Sequence, residues 1–254
     1  MTLEILTADA LSPLRHGFFT RRGGASSGIF AGLNCGPGSS DQSDSVRLNR
    51  ARVAEAMQVA PGHLVTVHQV HSPDVVTLTA ALPEGEPRPK ADAMVTATPG
   101  LALAILTADC QPVLFADHDA RVIGAAHAGW RGGLSGILEN TLDAMVDAGA
   151  DRGRIVAVIG PCISQRAYEV GEEFLETFLA DDPAHARFFA NGQAGKYQFD
   201  LAGFGLARLR AAGVAEAVWT RHCTYDDPAR FYSYRRSVHE GAADYGRLIS
   251  VIRL

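Results

Sequence analysis

Residues 101–128 read LALAILTADCQPVLFADHDARVIGAAHA, and this stretch decides the fold class. Its apolar runs, Leu101 to Thr107, Val113 to Ala116 and Val122 to Ala126, are each too short for an ordinary helix. They are continuous rather than alternating, the pattern of strands covered on both faces. Similar runs fall at Leu64 to Val70, Val75 to Leu78, Ala93 to Thr96, Ile155 to Ile159, Ala217 to Thr220 and Leu248 to Ile252. Helical spacing marks Ser43 to Met57, Leu134 to Ala148 (closed by Gly149) and Ala202 to Ala212 (ending at Gly213). Strands and helices interleave without strict βαβ order, and no GxGxxG follows the first strand. The expectation is a mixed-sheet α/β sandwich rather than a doubly wound Rossmann layout. Pro83 to Lys90 and Asp181 to Gly195 read as surface loops too short to be linkers, so residues 1–254 are expected to form a single domain.

Composition narrows the function. Of 254 residues, 47% are hydrophobic and 20% charged, which suits a folded globular protein. A formal net charge of −5 with no long basic run argues against a nucleic-acid or anionic-membrane partner. The apolar runs fall far short of the ~20 residues that span a bilayer. The opening MTLEILTADALSPLRHGFF lacks the pattern of a signal peptide, and the four cysteines form no CxxC. Reduced thiols in a cytoplasmic protein are therefore expected.

Three potential metal ligands fall at the ends of strand-like segments. His71 lies just beyond LVTVHQV, Cys110 three residues past Thr107, and His127 at the end of RVIGAAH. Two imidazoles and a thiolate suit zinc or copper and not magnesium or calcium. Three protein ligands leave a fourth position open, as in catalytic zinc sites. The competing reading of the same residues is a metal-free cysteine hydrolase, with Cys110 as nucleophile and His127 or His71 as base. His68 reads as a supporting or structural group. Asp109, beside Cys110, reads either as an acid/base or as a carboxylate orienting a histidine. Gly129, Gly132 and Gly133 open into a helix beside Arg131, which either offers an anion site or merely permits a tight turn. The loop HGFFTRRGGASSGIFAGLNCG carries Arg21, Arg22 and Asn34; Arg47, Arg50 and Arg52 follow on a helix, with Arg47 and Arg52 expected in solvent. FYSYRRS, with Arg235 and Arg236, could stack on a base or bind phosphate, or form an edge strand.

FFTRRGG, GLNCG, Asn49-Arg50, HQVHS, KADAMVT, TADCQPVL, AHAGWRG, IGPCI, YEVG and SYRR, in this order, resemble the laccase-domain family. Its members have been called multicopper polyphenol oxidases, purine nucleoside phosphorylases and peptidoglycan editing factors. The resemblance runs from about Gly17 to Arg236. It implies a single α/β/β/α layered domain and a zinc held by His71, Cys110 and His127. It also implies phosphorolysis of adenosine, inosine, guanosine and 5′-methylthioadenosine, and deamination of adenosine. Arg21 and Arg50 would line the site, with Asn34, Arg131 and Arg235 as further candidates for holding nucleoside and phosphate. A cell-wall precursor editing role is the alternative, and monomer or homodimer is left open. The oxidase name conflicts with the residues: nine histidines without an HxH pair cannot build a mononuclear plus a trinuclear copper cluster, although copper could occupy the single site.

Overall fold

The computed structural model describes residues 2–83, 85–193 and 195–254. Glu84 and Ala194, within the two stretches expected as loops, lie outside the described residues. A six-stranded sheet runs in the order Glu216–Trp219 (β13), Val156–Ile159 (β9), Gln111–Asp117 (β7), Val122–Ala128 (β8), Ala93–Thr96 (β5) and Val75–Thr77 (β4). Its centre is antiparallel, and its two edge pairings, β13 with β9 and β4 with β5, are parallel. A five-stranded sheet runs Ile5–Leu6 (β1), Arg15–Phe19 (β2), Leu248–Arg253 (β14), Ala102–Thr107 (β6) and Leu64–Val65 (β3).

The continuous apolar runs follow from the layering. On β7, Val113 and Phe115 face Leu138, Leu142 and Met145 of the helix Ile137–Asp147 (α3) and Leu209 of Leu201–Ala211 (α5). Leu114 and Ala116, one residue out of phase, meet Phe18, Leu103, Ile105 and Ile252 of the second sheet. The far side of that sheet, with Ala102, Ala104, Ile249 and Val251, is covered by Val53, Ala54 and Met57 at the helix Ser43–Ala56 (α1). Alternate residues of one strand thus enter two different apolar layers, so no polar phase survives in the sequence. The expected α/β/β/α sandwich is what the chain forms. Among the described residues no helix is long and apolar enough to cross a membrane.

Several expectations are corrected. The strand expected over Leu64–Val70 stops at Val65, and beyond it the chain makes only an isolated bridge between His68 and Lys90. The helix expected over Leu134–Ala148 is two, Trp130–Leu134 (α2) and α3, broken where Gly136 adopts φ 92°. FYSYRRS is not an edge strand: Ser233 accepts from the Arg236 amide and caps the helix Tyr234–His239 (α6). Asp181–Gly195 is not purely loop, since it holds a 3-10 turn at Pro183–Phe188 and the strand Phe189–Asn191 (β11). This strand joins Glu169–Gly171 (β10) and Lys196–Phe199 (β12) in a three-stranded antiparallel sheet beside the helix Glu172–Asp181 (α4). Phe174 and Phe178 of α4 stack at 5.1 Å between ring centroids and both pack on Phe199. Aromatic contacts of this kind contribute about 0.5–1.5 kcal/mol each beyond area burial. They anchor α4 and the small sheet as one wall of the site.

Candidate metal centre

Cys110 directly precedes β7, His127 lies near the end of β8 and His71 stands on the loop after β3, with one buried carboxylate locking the two histidines. Asp92, fully buried just before β5, accepts from His127 Nδ1 at 2.7 Å through one oxygen. Its other oxygen accepts from the amides of Val70 (3.0 Å) and Ser72 (2.7 Å), which flank His71. The Asp92 carbonyl also receives the His127 amide at 2.7 Å. One residue therefore fixes the ring of His127, presenting its Nε2 to the site, and the loop that carries His71. Burial opposes ionisation of Asp92, but the His127 ring and the two amides outweigh it and hold the carboxyl at about 2.

Two of the three ligand positions lie in or next to left-handed backbone: His71 has φ 63° and Asp109, preceding Cys110, has φ 83°. Non-glycine residues persist there only when surroundings over-determine them. Asp109 is pinned by the Thr224 hydroxyl (2.6 Å), the Ser233 hydroxyl (2.9 Å) and the Arg235 amide (2.6 Å). It therefore does not orient a histidine, a role that falls to Asp92. Burial pushes the Asp109 carboxyl up against those three donors. Asp109 sets the turn that projects Cys110.

The thiol and imidazoles converge. Cys110 Sγ lies 4.0 Å from His71 Nε2, the two imidazole centroids are 4.7 Å apart, and the potential donor atoms of all three lie within 4.8 Å of one another. A Cβ on Gly129 would sit 2.9 Å from Cys110 Sγ and 3.1 Å from His71 Cδ2, so only glycine leaves the centre room. Burial raises the Cys110 thiol, but the charge and hydrogen bonds of His127 and His71 overcome it and bring it down to about 7. Burial lowers His127, yet the Cys110 thiolate and Asp92 lift it to about 9. Without metal each group thus favours the charged form of the other, thiolate beside imidazolium. The donor set fits zinc or copper. In metal-free protein, iodoacetamide is expected to alkylate Cys110 half-maximally near pH 7, while Cys35, pushed up by burial to about 12, stays unreactive. Peptide mapping across pH checks this, and a Cys110 that reacts only above pH 9 would contradict it.

The family model for multi-copper polyphenol oxidoreductase laccase matches residues 15–254. The chain belongs to this laccase-domain family. It is 43% identical over 253 residues to a protein of Deinococcus radiodurans named purine nucleoside phosphorylase, covering 99% of this chain and 93% of that one. It is 40% identical over 225 residues to the Escherichia coli purine nucleoside phosphorylase YfiH, covering 87% and 88%. A crystal structure of Neisseria meningitidis NMB0706, of family DUF152, superposes with TM-score 0.88 at 35% identity, covering 100% and 99%. YlmD of Geobacillus stearothermophilus superposes with TM-score 0.88 at 29% identity, covering 97% and 93%.

In this laccase-domain protein two cavities meet at the centre and share His71, Ala108 and Cys110. The first, about 740 Å³, is walled by Trp130, Tyr168, Phe174 and Tyr234, with Arg131 and Arg235 among its charges. The second, about 620 Å³, is lined by His68, Arg88, Thr107, Tyr245 and Arg247. Arg131 and Arg235 thus reach the site. Arg21 does not: its guanidinium is spent on the Ala31 and Pro228 carbonyls over the Tyr232 ring, beside a separate 220 Å³ cavity. Arg50 stands behind the second cavity, donating to Cys35 O and Thr66 Oγ1, and Asn34 is fully buried. Arg52 is not simply solvated, since it donates to Gly23 O. Arg236 donates to the carbonyls of Thr224, Tyr225 and Phe231 and is structural. Asp92, Tyr168, Arg88 and Arg247 were not anticipated. Of these, Asp92 left a trace as an acid between small residues in KADAMVT directly before an apolar run, and Tyr168 opens the YEVG stretch.

Proposed function

We propose that this protein is a purine nucleoside phosphorylase dependent on one metal ion, acting on adenosine, inosine, guanosine and 5′-methylthioadenosine, with deamination of adenosine as a second activity at the same site. The observation that carries this reading is an aromatic-walled cavity of about 740 Å³ that opens directly onto His71 and Cys110. The names of the relatives in D. radiodurans and E. coli support it. A cytoplasmic location fits such substrates.

Trp130, Tyr168 and Phe174 offer ring faces and edges to a planar purine. The Arg235 guanidinium lies 5.3 Å over the Tyr168 ring and donates to Glu169 O, so both side chains are held in place at that wall. Burial pushes the Tyr168 phenol up, so it stays protonated at neutral pH and can donate. Phosphorolysis forms an O–C1′ bond from hydrogen phosphate as the C1′–N9 bond breaks, and the proton released by phosphate ends on the purine. The chain's task is to hold the two reactants in line and exclude water, which would give ribose instead. His71, Cys110 and His127 would hold zinc, with copper favoured over zinc by intrinsic affinity. The bound ion would supply Lewis acidity at the junction of the two cavities.

The thiolate–imidazolium pair also favours a second reading, a cysteine hydrolase using Cys110 directly. The discriminating experiment combines metal analysis of purified protein with chromatography of adenosine and inosine reactions, with and without phosphate. Base release with ribose 1-phosphate, only when phosphate is present, is the expected result. Release of base and free ribose at the same rate without phosphate would overturn the phosphorylase reading.

A further inference from the structure

We propose that the second cavity, on the other side of Cys110 from the aromatic pocket, is the orthophosphate subsite, with Arg247 as its anchoring cation and Thr107 and Arg88 as further donors. This rests on the phosphorylase reading for its place in the reaction, but the anion site itself stands on four observations.

The first is charge. The cavity wall carries Arg88, Arg247 and His68 and no carboxylate, whereas the aromatic cavity sets Arg131 and Arg235 against Asp109, Glu169 and Glu173. Arg50, behind the wall on Thr66, adds a third guanidinium whose acidity is increased by its burial and by Arg88. A dianion is better stabilised in the second chamber than in the first. Among the described residues neither Arg88 nor Arg247 makes an ion pair. Asp244, beside Arg247 in charge, is taken by the Ser40 amide and hydroxyl at 2.7 and 2.9 Å.

The second is hydrogen bonding. Thr107 is 3% exposed, and its hydroxyl, like Nη1 of Arg247, is buried without a partner among the described residues. Both residues line the same chamber. Buried donors are seldom left unpaired, and an oxyanion at this wall would pair both once their side chains turn toward it.

The third is rigidity. The Arg247 amide donates to Asn34 Oδ1 at 2.9 Å, and its carbonyl accepts from Cys35 at 3.1 Å. A Cβ on Gly36 would meet Arg247 Cδ at 2.7 Å, so the arginine stem lies in a groove that only glycine leaves open. Its guanidinium lies 4.6 Å over Tyr245. Asn34, expected to touch substrate, instead fixes the arginine that does. The fourth is position. Both chambers end on His71, Ala108 and Cys110, so an anion in one faces a nucleoside in the other across the centre.

The test titrates orthophosphate into the zinc-loaded protein by calorimetry and measures KM for phosphate and for inosine, in wild type, Arg247→Met and Arg88→Met. Arg247→Met should weaken phosphate binding and raise the phosphate KM by about tenfold or more, with the inosine KM within about twofold. Arg88→Met, on an exposed side chain that folding does not need, should give a several-fold loss in the same direction. Phosphate affinity unchanged in both variants, or no phosphate binding by wild type, overturns the subsite. Phosphate binding that Arg247→Met abolishes, in a protein that cleaves no nucleoside, upholds the anion site and removes only the phosphorylase reading.

Discussion

Cys110→Ala is expected to leave purified protein without bound metal and to lower phosphorolysis by about 10³-fold or more, the several kcal/mol that a Lewis acid contributes to a charged transition state. The thiol is the one anionic donor of the three, and the other two imidazoles cannot hold a divalent ion of this class tightly alone. Folding should survive, because Cys110 belongs to a turn that Asp109 fixes through Thr224, Ser233 and Arg235. Plasma mass spectrometry of the protein, alongside single-turnover kinetics, reads both effects. A metal-free Cys110→Ala enzyme with wild-type turnover would sink the metal-dependent reading.

Asp92→Asn should reduce zinc affinity 10–100-fold and destabilise the apo protein by about 2–3 kcal/mol. The amide preserves shape, but its NH₂ group cannot accept, so either His127 Nδ1 or the Val70 and Ser72 amides lose their acceptor in a fully buried place. The expected signature is graded: metal is retained at saturating zinc, with turnover largely restored there, unlike the Cys110 variant. Competition with a chelator and urea denaturation measure the two parts. An affinity within twofold of wild type would show that Asp92 positions nothing.

The strands β6, β7 and β8 were legible because each lies between two apolar layers and so shows an unbroken run, and Cys110 and His127 sit at the ends of such runs, whereas His71 stands on the loop after β3. What periodicity could not convey is register. Asp92 reaches His127 because Ala93 pairs with Ala126 across antiparallel β5 and β8, a non-local alignment that no spacing encodes. The break at Gly136 was invisible because apolar spacing continues through it from Leu134 to Ile137 and Leu138. Arg21 and Arg50 show the converse limit. Their motifs are specific, yet a motif does not tell a side chain that meets a ligand from one that braces the backbone behind it, and here both guanidiniums are occupied by carbonyls or a threonine. Arg247 stands in YGRLIS, where nothing local marks it, and gains its place only because β14 sits beside β2 and β6.

That position of β14 governs how the molecule can come into being. Residues 248–253 are flanked by partners at 15–19 and 102–107, and their side chains feed both hydrophobic layers, Ile249 and Val251 on one side and Ile252 on the other. During synthesis the earlier strands emerge with an open slot between them, their backbone edges and apolar faces exposed until the ribosome has delivered some 140 further residues. Closure is then a single late zipper between distant partners, the slow kind of event, and the interval before it is when the nascent chain is most open to association with its neighbours.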